Sequence, residues 1–266
     1  MRLALWQTQG FPADIEANLA ALDGQLRAAA AAGARLLLCP ELWLGGYHVP
    51  QRMAALAEPA DGPAAQRIAA LCREHGVAVC YGYAERDPAG GKPYNSAQVI
   101  DADGRRVAHY RKTHLFGPME RELFQAGDRL EAPVELDGWR IALLICFDVE
   151  FPENVRSHAL AGAELVLIPT ALTSEYRAVP ELIVPTRAVE NQLFVAYCNH
   201  SGVENGLAYL GGSCVAAPDG QRLGAVAGGE ALLLVDLDRS PREQWRHTFP
   251  YLEGRRPDLY GALVED

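Results

Sequence analysis

No apolar stretch of this chain approaches the roughly 18 uninterrupted residues that a membrane-spanning helix needs, and no dense run of lysine or arginine occurs. The formal net charge is −10. Nucleic acid and anionic membrane both select clustered basic side chains, so neither is expected as a partner. The six cysteines, Cys39, Cys72, Cys80, Cys146, Cys198 and Cys214, include no Cys-x-x-Cys pair, and several fall in apolar runs. That usage fits reduced thiols in a cytoplasmic protein. Seven histidines are scattered without ligand spacing, and His-Glu-x-x-His is missing, so no metal and no other cofactor is expected. The Gly-x-Ser-x-Gly elbow and the phosphate-cradling glycine loop are absent too, since Gly211-Gly212-Ser213-Cys214 matches neither. At the start of the chain Gln7 arrives too soon for a signal peptide, which leaves the sequon Asn199-His200-Ser201 idle. No segment is rich enough in Ser, Gly or Pro to act as a linker, so residues 1–266 are expected to form one domain.

What the chain does have is an ordinary globular balance, 49% hydrophobic and 22% charged over 266 residues, enough for a large core. A first strand is expected around Leu3, Leu5 and Trp6. Ile15, Leu19, Leu22 and Leu26 then recur at helical spacing, with Asp14 placed to cap the start and Gly33 to end the helix. The run Leu36 to Cys39 reads as the next strand, Asp61 to Gly76 as a second helix and Val77 to Tyr83 as a third strand. This alternation indicates an α/β fold. Hairpins interrupt it: about Asn95 to Ile100 with Arg105 to Tyr110, and later Gly211 to Ala217 with Arg222 to Val226, followed by Ala231 to Val235. Gly33-Ala34-Arg35-Leu36-Leu37-Leu38-Cys39-Pro40 and Gly162-Ala163-Glu164-Leu165-Val166-Leu167-Ile168-Pro169 share one pattern of helix end, buried strand and proline. The repeat predicts that Glu41 and Thr170 occupy corresponding rims of stacked sheets. Beyond about Arg239 the chain reads as an irregular tail, whose aromatics suit a subunit contact.

Three segments each place one reactive side chain where a structured run ends. These are Cys39-Pro40-Glu41, Tyr110-Arg111-Lys112-Thr113-His114, and Ile145-Cys146-Phe147-Asp148. A carboxylate, an ammonium and a thiol form a minimum set for acyl transfer: a base for the thiol proton, a cation for thiolate and oxyanion, and a soft nucleophile. A papain-type pairing of Cys146 with His114 or His200 would need no lysine.

These motifs, in this order, resemble the nitrilase superfamily of carbon-nitrogen hydrolases, with Pro40-Glu41-Leu42, Gly46-Tyr47, Tyr110 to Leu115 and Cys146 to Glu153 carrying the match over nearly the whole chain. The resemblance implies a four-layer α-β-β-α sandwich, Glu41, Lys112 and Cys146 in the triad positions, and pairing into a homodimer or a larger homo-oligomer. It also implies a second glutamate ahead of Phe124-Gln125-Ala126-Gly127-Asp128, which is Glu120, or Glu122 by the alternative count. Members that cleave nitriles usually follow the cysteine with Trp-Glu, so Phe147-Asp148 is more similar to the amidase and carbamoylase branches. Ala60 to Ala64, Tyr110 to Phe116 and Phe151 to Asn154 look closest to the 5-aminopentanamidase branch. The expected substrate is therefore a small aliphatic, possibly ω-amino, amide, with an N-carbamoyl compound as the alternative. A nitrile, or a non-catalytic binding role for the same fold, ranks behind both. Tyr47, Phe147, Thr170, Ala171 and Glu175 are expected to line the substrate pocket. Ala171 departs from the Asn that related amidases often carry, and Glu175 would attract an ammonium group.

Overall fold

In the computed structural model, which describes residues 1–263, helices and strands alternate and then give way to hairpins. Residues 264–266 of the expected tail lie outside the described part. The chain runs β1 (Arg2–Gln7), α1 (Ile15–Ala31), β2 (Leu36–Leu38), α2 (Met53–Leu56), α3 (Pro63–His75), β3 (Ala78–Glu85), β4 (Tyr94–Ile100) and β5 (Arg106–Arg111). It continues through α4 (Gly117–Leu123), β6 (Val134–Leu136), β7 (Trp139–Leu143), a 3₁₀ turn over Cys146–Glu150, α5 (Pro152–Leu160) and β8 (Leu165–Thr170). A π-helical turn at Val179–Ile183 leads into α6 (Val184–Asn191), followed by β9 (Phe194–Asn199), the short hairpin β10 (Val203–Glu204) and β11 (Leu207–Ala208), β12 (Cys214–Ala216), β13 (Arg222–Ala225), β14 (Ala231–Asp236) and α7 (Ser240–Thr248).

Two six-stranded sheets result, in the orders β14-β1-β2-β3-β4-β5 and β13-β12-β9-β8-β7-β6. Each has a parallel trio at its centre, β1-β2-β3 in one and β7-β8-β9 in the other, with antiparallel strands on both flanks. Side-chain alternation explains the stacking. Leu3, Leu5, Leu36, Leu38, Ala78 and Cys80 point into the core shared with Leu143, Leu165 and Leu167 of the second sheet. The intervening Ala4, Trp6, Leu37, Val79 and Tyr81 face outward and meet Leu19, Leu22 and Leu26 of α1 and Ile68 and Cys72 of α3. On the far side, Val155 and Ala159 of α5 and Val184 and Ala188 of α6 close over the second sheet. The order helices, sheet, sheet, helices is the expected four-layer sandwich. Burying each such leucine is worth about 1.5–3 kcal/mol, which fixes strand register because a one-residue slip would turn every inward side chain out.

Asp14 caps α1 by accepting the Ala17 N–H at 2.9 Å, as the sequence predicts. β2 and β8 prove to be the middle strands of their trios, and the Glu41 N–H donates to the Thr170 carbonyl at 3.3 Å, so the two rims touch. The strand expected at residues 231–235 is β14, which crosses to the first sheet and pairs with β1. One expectation needs correction. The tail beyond Arg239 is not irregular at first, because the Asp238 carboxylate accepts the Ser240 N–H and opens α7. Trp245 and Phe249, four residues apart, then meet with ring centroids 4.6 Å apart at a tilt of 47°. The short helix α2 has no counterpart among the expected elements.

Candidate active site

Glu41 follows β2, Lys112 follows β5 and Cys146 comes three residues after β7, so all three lie beyond the carboxyl ends of strands, where open sheets keep reactive groups. The first two come from one sheet and the third from the other. Two glycines make the approach possible. A Cβ on Gly82 of β3 would come within 2.4 Å of the Leu42 nitrogen and 2.8 Å of the Glu41 Cα, so only glycine lets the Glu41 loop lie against that strand. At Gly127 a Cβ would sit 2.4 Å from the Arg111 carbonyl, and its N–H donates to the Lys112 carbonyl at 2.8 Å. That close approach explains the glycine of the Phe-x-x-Gly-Asp segment.

Lys112 is fully buried, and its Nζ donates at 2.7 Å to Glu41 Oε1 and at 2.7 Å to Glu120 Oε1. Glu120 is buried on α4 and not in a polar loop, whereas Glu122 on the same helix is exposed; the geometry selects Glu120. The hydroxyl of Tyr47 donates to Glu120 Oε1 at 2.8 Å, and the Phe116 N–H donates to Oε2 at 2.7 Å. Asn95 Nδ2 donates to Glu41 Oε1 at 2.7 Å, while Oε2 of Glu41 has no partner among the described residues. Burial drives the Glu41 carboxyl up to about 7, with Lys112 working against the rise and Glu120 adding to it. Burial disfavours the Lys112 charge, but Glu41 and Glu120 outweigh it and hold the ammonium well above its usual range.

Cys146 opens the 3₁₀ turn with φ of +46°, a left-handed conformation unusual for a side chain with a Cβ, and the cost is tolerated only where surroundings enforce it. Asp148 supplies that enforcement. Its Oδ2 accepts the Ile145 N–H at 3.0 Å and the Tyr110 hydroxyl at 2.9 Å; Oδ1 accepts the His114 N–H at 3.0 Å and the Thr113 hydroxyl at 3.1 Å. Arg187 clamps the other end, donating to the carbonyls of Val149 and Glu150. Burial pushes the Cys146 thiol well up, Glu41 and Glu120 push it further, and Lys112 opposes them. The resting sulfur is therefore a thiol.

The thiol opens onto a cavity of about 220 Å³ whose lining includes Tyr47, His48, Phe116, Met119, Phe147, Glu150, Ala171, Leu172, Tyr176 and Leu207. Tyr47, Phe147 and Ala171, three of the residues expected to line a substrate pocket, line this cavity. Thr170 does not: it is buried in the rim, its hydroxyl donates to the Ile168 carbonyl, and it is not part of the lining. Glu175 is exposed and outside the lining; its neighbour Tyr176 takes the place expected for it. Among the described residues neither histidine of the papain-type alternative makes a hydrogen bond to the Cys146 sulfur. His114 Nδ1 lies 3.0 Å from Asp148 Oδ1, and His200 Nε2 meets the backbone carbonyl of Glu41 at 2.7 Å. Sequence reasoning passed over Asn95, Asp148 and Glu150 as working residues. A polar Asn early in the strand Tyr94–Ile100, and two acids inside the mostly apolar stretch from Cys146 to Phe151, were the available signals. Among the described residues the one trio with metal-ligand spacing, Asp23, Glu74 and His75, sits on and beside α1 and α3, apart from this cavity.

A family model for carbon-nitrogen hydrolases matches residues 2–247. A hydrolase of Pseudomonas protegens, known from the 5' region of pqqF, is 47% identical over 99% of this chain and 92% of its own length. An (R)-stereoselective amidase of Pseudomonas sp. is 35% identical over 100% of this chain and 95% of its own. Among solved structures, the amidase from Nesterenkonia sp. AN1, seen with acrylamide added to its active site cysteine, superposes with a TM-score of 0.88 at 38% identity, covering 99% of each chain. Sequence, topology and rim geometry agree, and this chain belongs to the carbon-nitrogen hydrolase family, the nitrilase superfamily.

Proposed function

We propose that this chain hydrolyses the carbon-nitrogen bond of a small aliphatic amide to a carboxylic acid and ammonia through a thioester on Cys146. The observation that carries this reading is Lys112 held between two buried carboxylates, all three acting electrostatically on the Cys146 thiol that lines the cavity. Glu41 is the base. Its unpartnered Oε2 takes the thiol proton as sulfur attacks the amide carbon, which matters because a thiol pushed upward by burial gains little from ionising beforehand. Lys112 stabilises the developing negative charge, first on sulfur and then on the substrate oxygen, with the Phe147 N–H as the second oxyanion donor. Protonated Glu41 returns its proton to the departing nitrogen as the carbon-nitrogen bond breaks, releasing ammonia. Water then attacks the thioester, Glu41 takes its proton, and carbon-sulfur cleavage frees the acid and restores the thiol. Glu120 orients Lys112, and Tyr47 holds Glu120. Most of the relatives' names, amidases against one probable nitrilase, support an amide over a nitrile.

We further read the chain as one catalytic domain working in the cytoplasm as a homodimer or larger homo-oligomer. The exposed apolar side chains Leu259, Tyr260 and Leu263 near its end favour a contact there. No described helix is long and apolar enough to cross a membrane. The test is ammonia release across short aliphatic amides, ω-amino amides, carbamoyl amines and nitriles, with Cys146→Ala as the blank. Release confined to amides in the parent supports the reading; a blank that matches the parent sinks it.

A further inference from the structure

One more carboxylate is buried beside the site, and the proton transfers above do not use it. Glu204 ends β10, the first strand of the short hairpin β10-β11, and is 1% exposed. The hairpin is tied to the Gly46-Tyr47-His48 segment. Oε2 of Glu204 accepts three hydrogen bonds, from the Tyr47 N–H at 3.3 Å, the His48 N–H at 3.0 Å and the Tyr209 hydroxyl, while Asn205 Nδ2 donates to the His48 carbonyl at 2.9 Å. Among the described residues Oε1 has no partner, and a Cβ on Gly46 would come within 2.4 Å of it, so the carboxylate lies against bare backbone there. No cation pairs with Glu204 among the described residues. Three donors converging on one buried oxygen stand in for one.

Two of those donors lead on to the two carboxylates that hold Lys112. Tyr47 gives its N–H to Glu204 and its hydroxyl to Glu120 Oε1 at 2.8 Å, so one residue joins the two acids. Tyr209 stacks its ring on His200 at 4.9 Å, and His200 Nε2 meets the Glu41 carbonyl at 2.7 Å. A carbonyl can only accept, so Nε2 carries the hydrogen. We propose that Glu204 is a positioning residue for the hydrolysis, fixing Glu120 through Tyr47 and the Glu41 loop through Tyr209 and His200. The proposal rests on the amidase reading above and adds to it a residue outside the cavity lining. Without the Glu204 acceptor, three buried donors are left unsatisfied, which the Tyr47-His48 backbone relieves only by moving. Glu120 then drifts from Lys112, and the ammonium is left to Glu41 alone. Both changes lower the Glu41 carboxyl, since Lys112 pulls it down and Glu120 pushes it up. The other titratable groups facing Glu41 stay neutral near pH 7, because burial raises Cys146, Tyr47 and Tyr209 and lowers His200.

The test measures kcat and kcat/KM for a short aliphatic amide against pH in the parent, Glu204→Ala, Glu204→Asp, Glu204→Gln, Tyr47→Phe and the double variant Glu204→Ala with Tyr47→Phe. Glu204→Ala is expected to lose about tenfold or more in kcat, with the kcat/KM inflection moving below the parent's value of about 7. Glu204→Asp draws the acceptor back by one methylene. It should show a smaller loss and a shift in the same direction, and it stands in should the alanine variant not fold. Glu204→Gln keeps an acceptor oxygen and should restore kcat to within about threefold of the parent. The double variant should lose much less than the product of the two single losses, because both changes act through Tyr47. A loss that follows the folded fraction, with the inflection unmoved and the single losses multiplying, marks a merely structural residue and overturns the proposal. So does a folded Glu204→Ala, or failing that Glu204→Asp, with parental kcat and inflection, which leaves the amidase reading standing. Iodoacetamide alkylation of Cys146, followed by mass, reads the same arrangement without turnover. Slower alkylation in Glu204→Ala that Glu204→Gln restores, in a protein that cleaves no amide, would uphold the positioning while rejecting the reaction.

Discussion

Arg111 and Lys112 are consecutive residues, yet they enter two acid-base clusters that behave in opposite ways. Arg111 and His109 both face Glu85, whose carboxylate also accepts the Ser96 hydroxyl at 2.6 Å. Burial there works against the charge, but His109, Arg111 and Ser96 prevail and pull the Glu85 carboxyl down to about 2. On the other side of the strand end, Glu41 shares its one cation with Glu120 and keeps an oxygen unpartnered, and it is raised to about 7. Burial is similar in kind; the ratio of cations to carboxylates differs. A surplus of donors makes a fixed anion suited to holding structure. A shortage makes a carboxylate that can take and return a proton near neutral pH.

The largest expected contrast separates the two neighbours. Lys112→Ala should lower kcat/KM for a short amide by about 10²–10³ or more and cost about 3–5 kcal/mol in urea unfolding, since two buried carboxylates lose their cation. Arg111→Ala, half-exposed, should cost about 1 kcal/mol or less and leave turnover within a few-fold. Equal rate losses in the two variants would erase the distinction. Next comes the acid pair: Glu41→Gln should cut turnover by about 10²–10⁴, while Glu85→Gln should not.

The pH dependence sharpens the same comparison because the signs oppose. A Glu41 that must be ionised to act predicts kcat/KM rising with pH through about 7, an inflection that Glu85→Gln leaves in place. For stability, Glu85 has a depressed folded value, so its contribution is complete above its unfolded value near 4.5 and disappears as pH falls toward about 2. Glu41, raised when folded, contributes in the other direction, with stability present below about 4.5 and lost as pH climbs to about 7. Denaturation series at several pH values should show Glu85→Gln flattening the acid limb by up to about 3 kcal/mol. The smallest effects come from single hydroxyls. Tyr47→Phe should slow turnover by about 1 kcal/mol equivalent through Glu120, and Ser96→Ala should weaken acid stability by a similar amount with turnover kept.

The layered fold was legible because Leu3, Leu5, Leu36 and Leu38 alternate with outward-facing residues, a signal local to each strand. Glu41, Lys112 and Cys146 could be picked out as candidates because each follows a strand end. Legibility failed where the answer depends on distant chain. Nothing near Ala231 announces that its strand returns to β1, and nothing near Glu175 announces that the loop turns its carboxylate outward while Tyr176 turns in. Asp148 was visible as a letter two places past the nucleophile, but its five contacts come from four residues, Tyr110, Thr113, His114 and Ile145, and become countable only when folded.

The pairing of β14 with β1 joins Leu3 to Val235 and Ala4 to Leu234. During synthesis the first strand to emerge therefore waits for almost the last, leaving its edge open while every residue proposed for catalysis has already left the ribosome. A loop that long is slow to close, and an apolar unpaired edge invites other chains. Chains stopped short of Ala231 are expected to aggregate, and the yield of native protein should depend on how well that edge is shielded until its mate arrives.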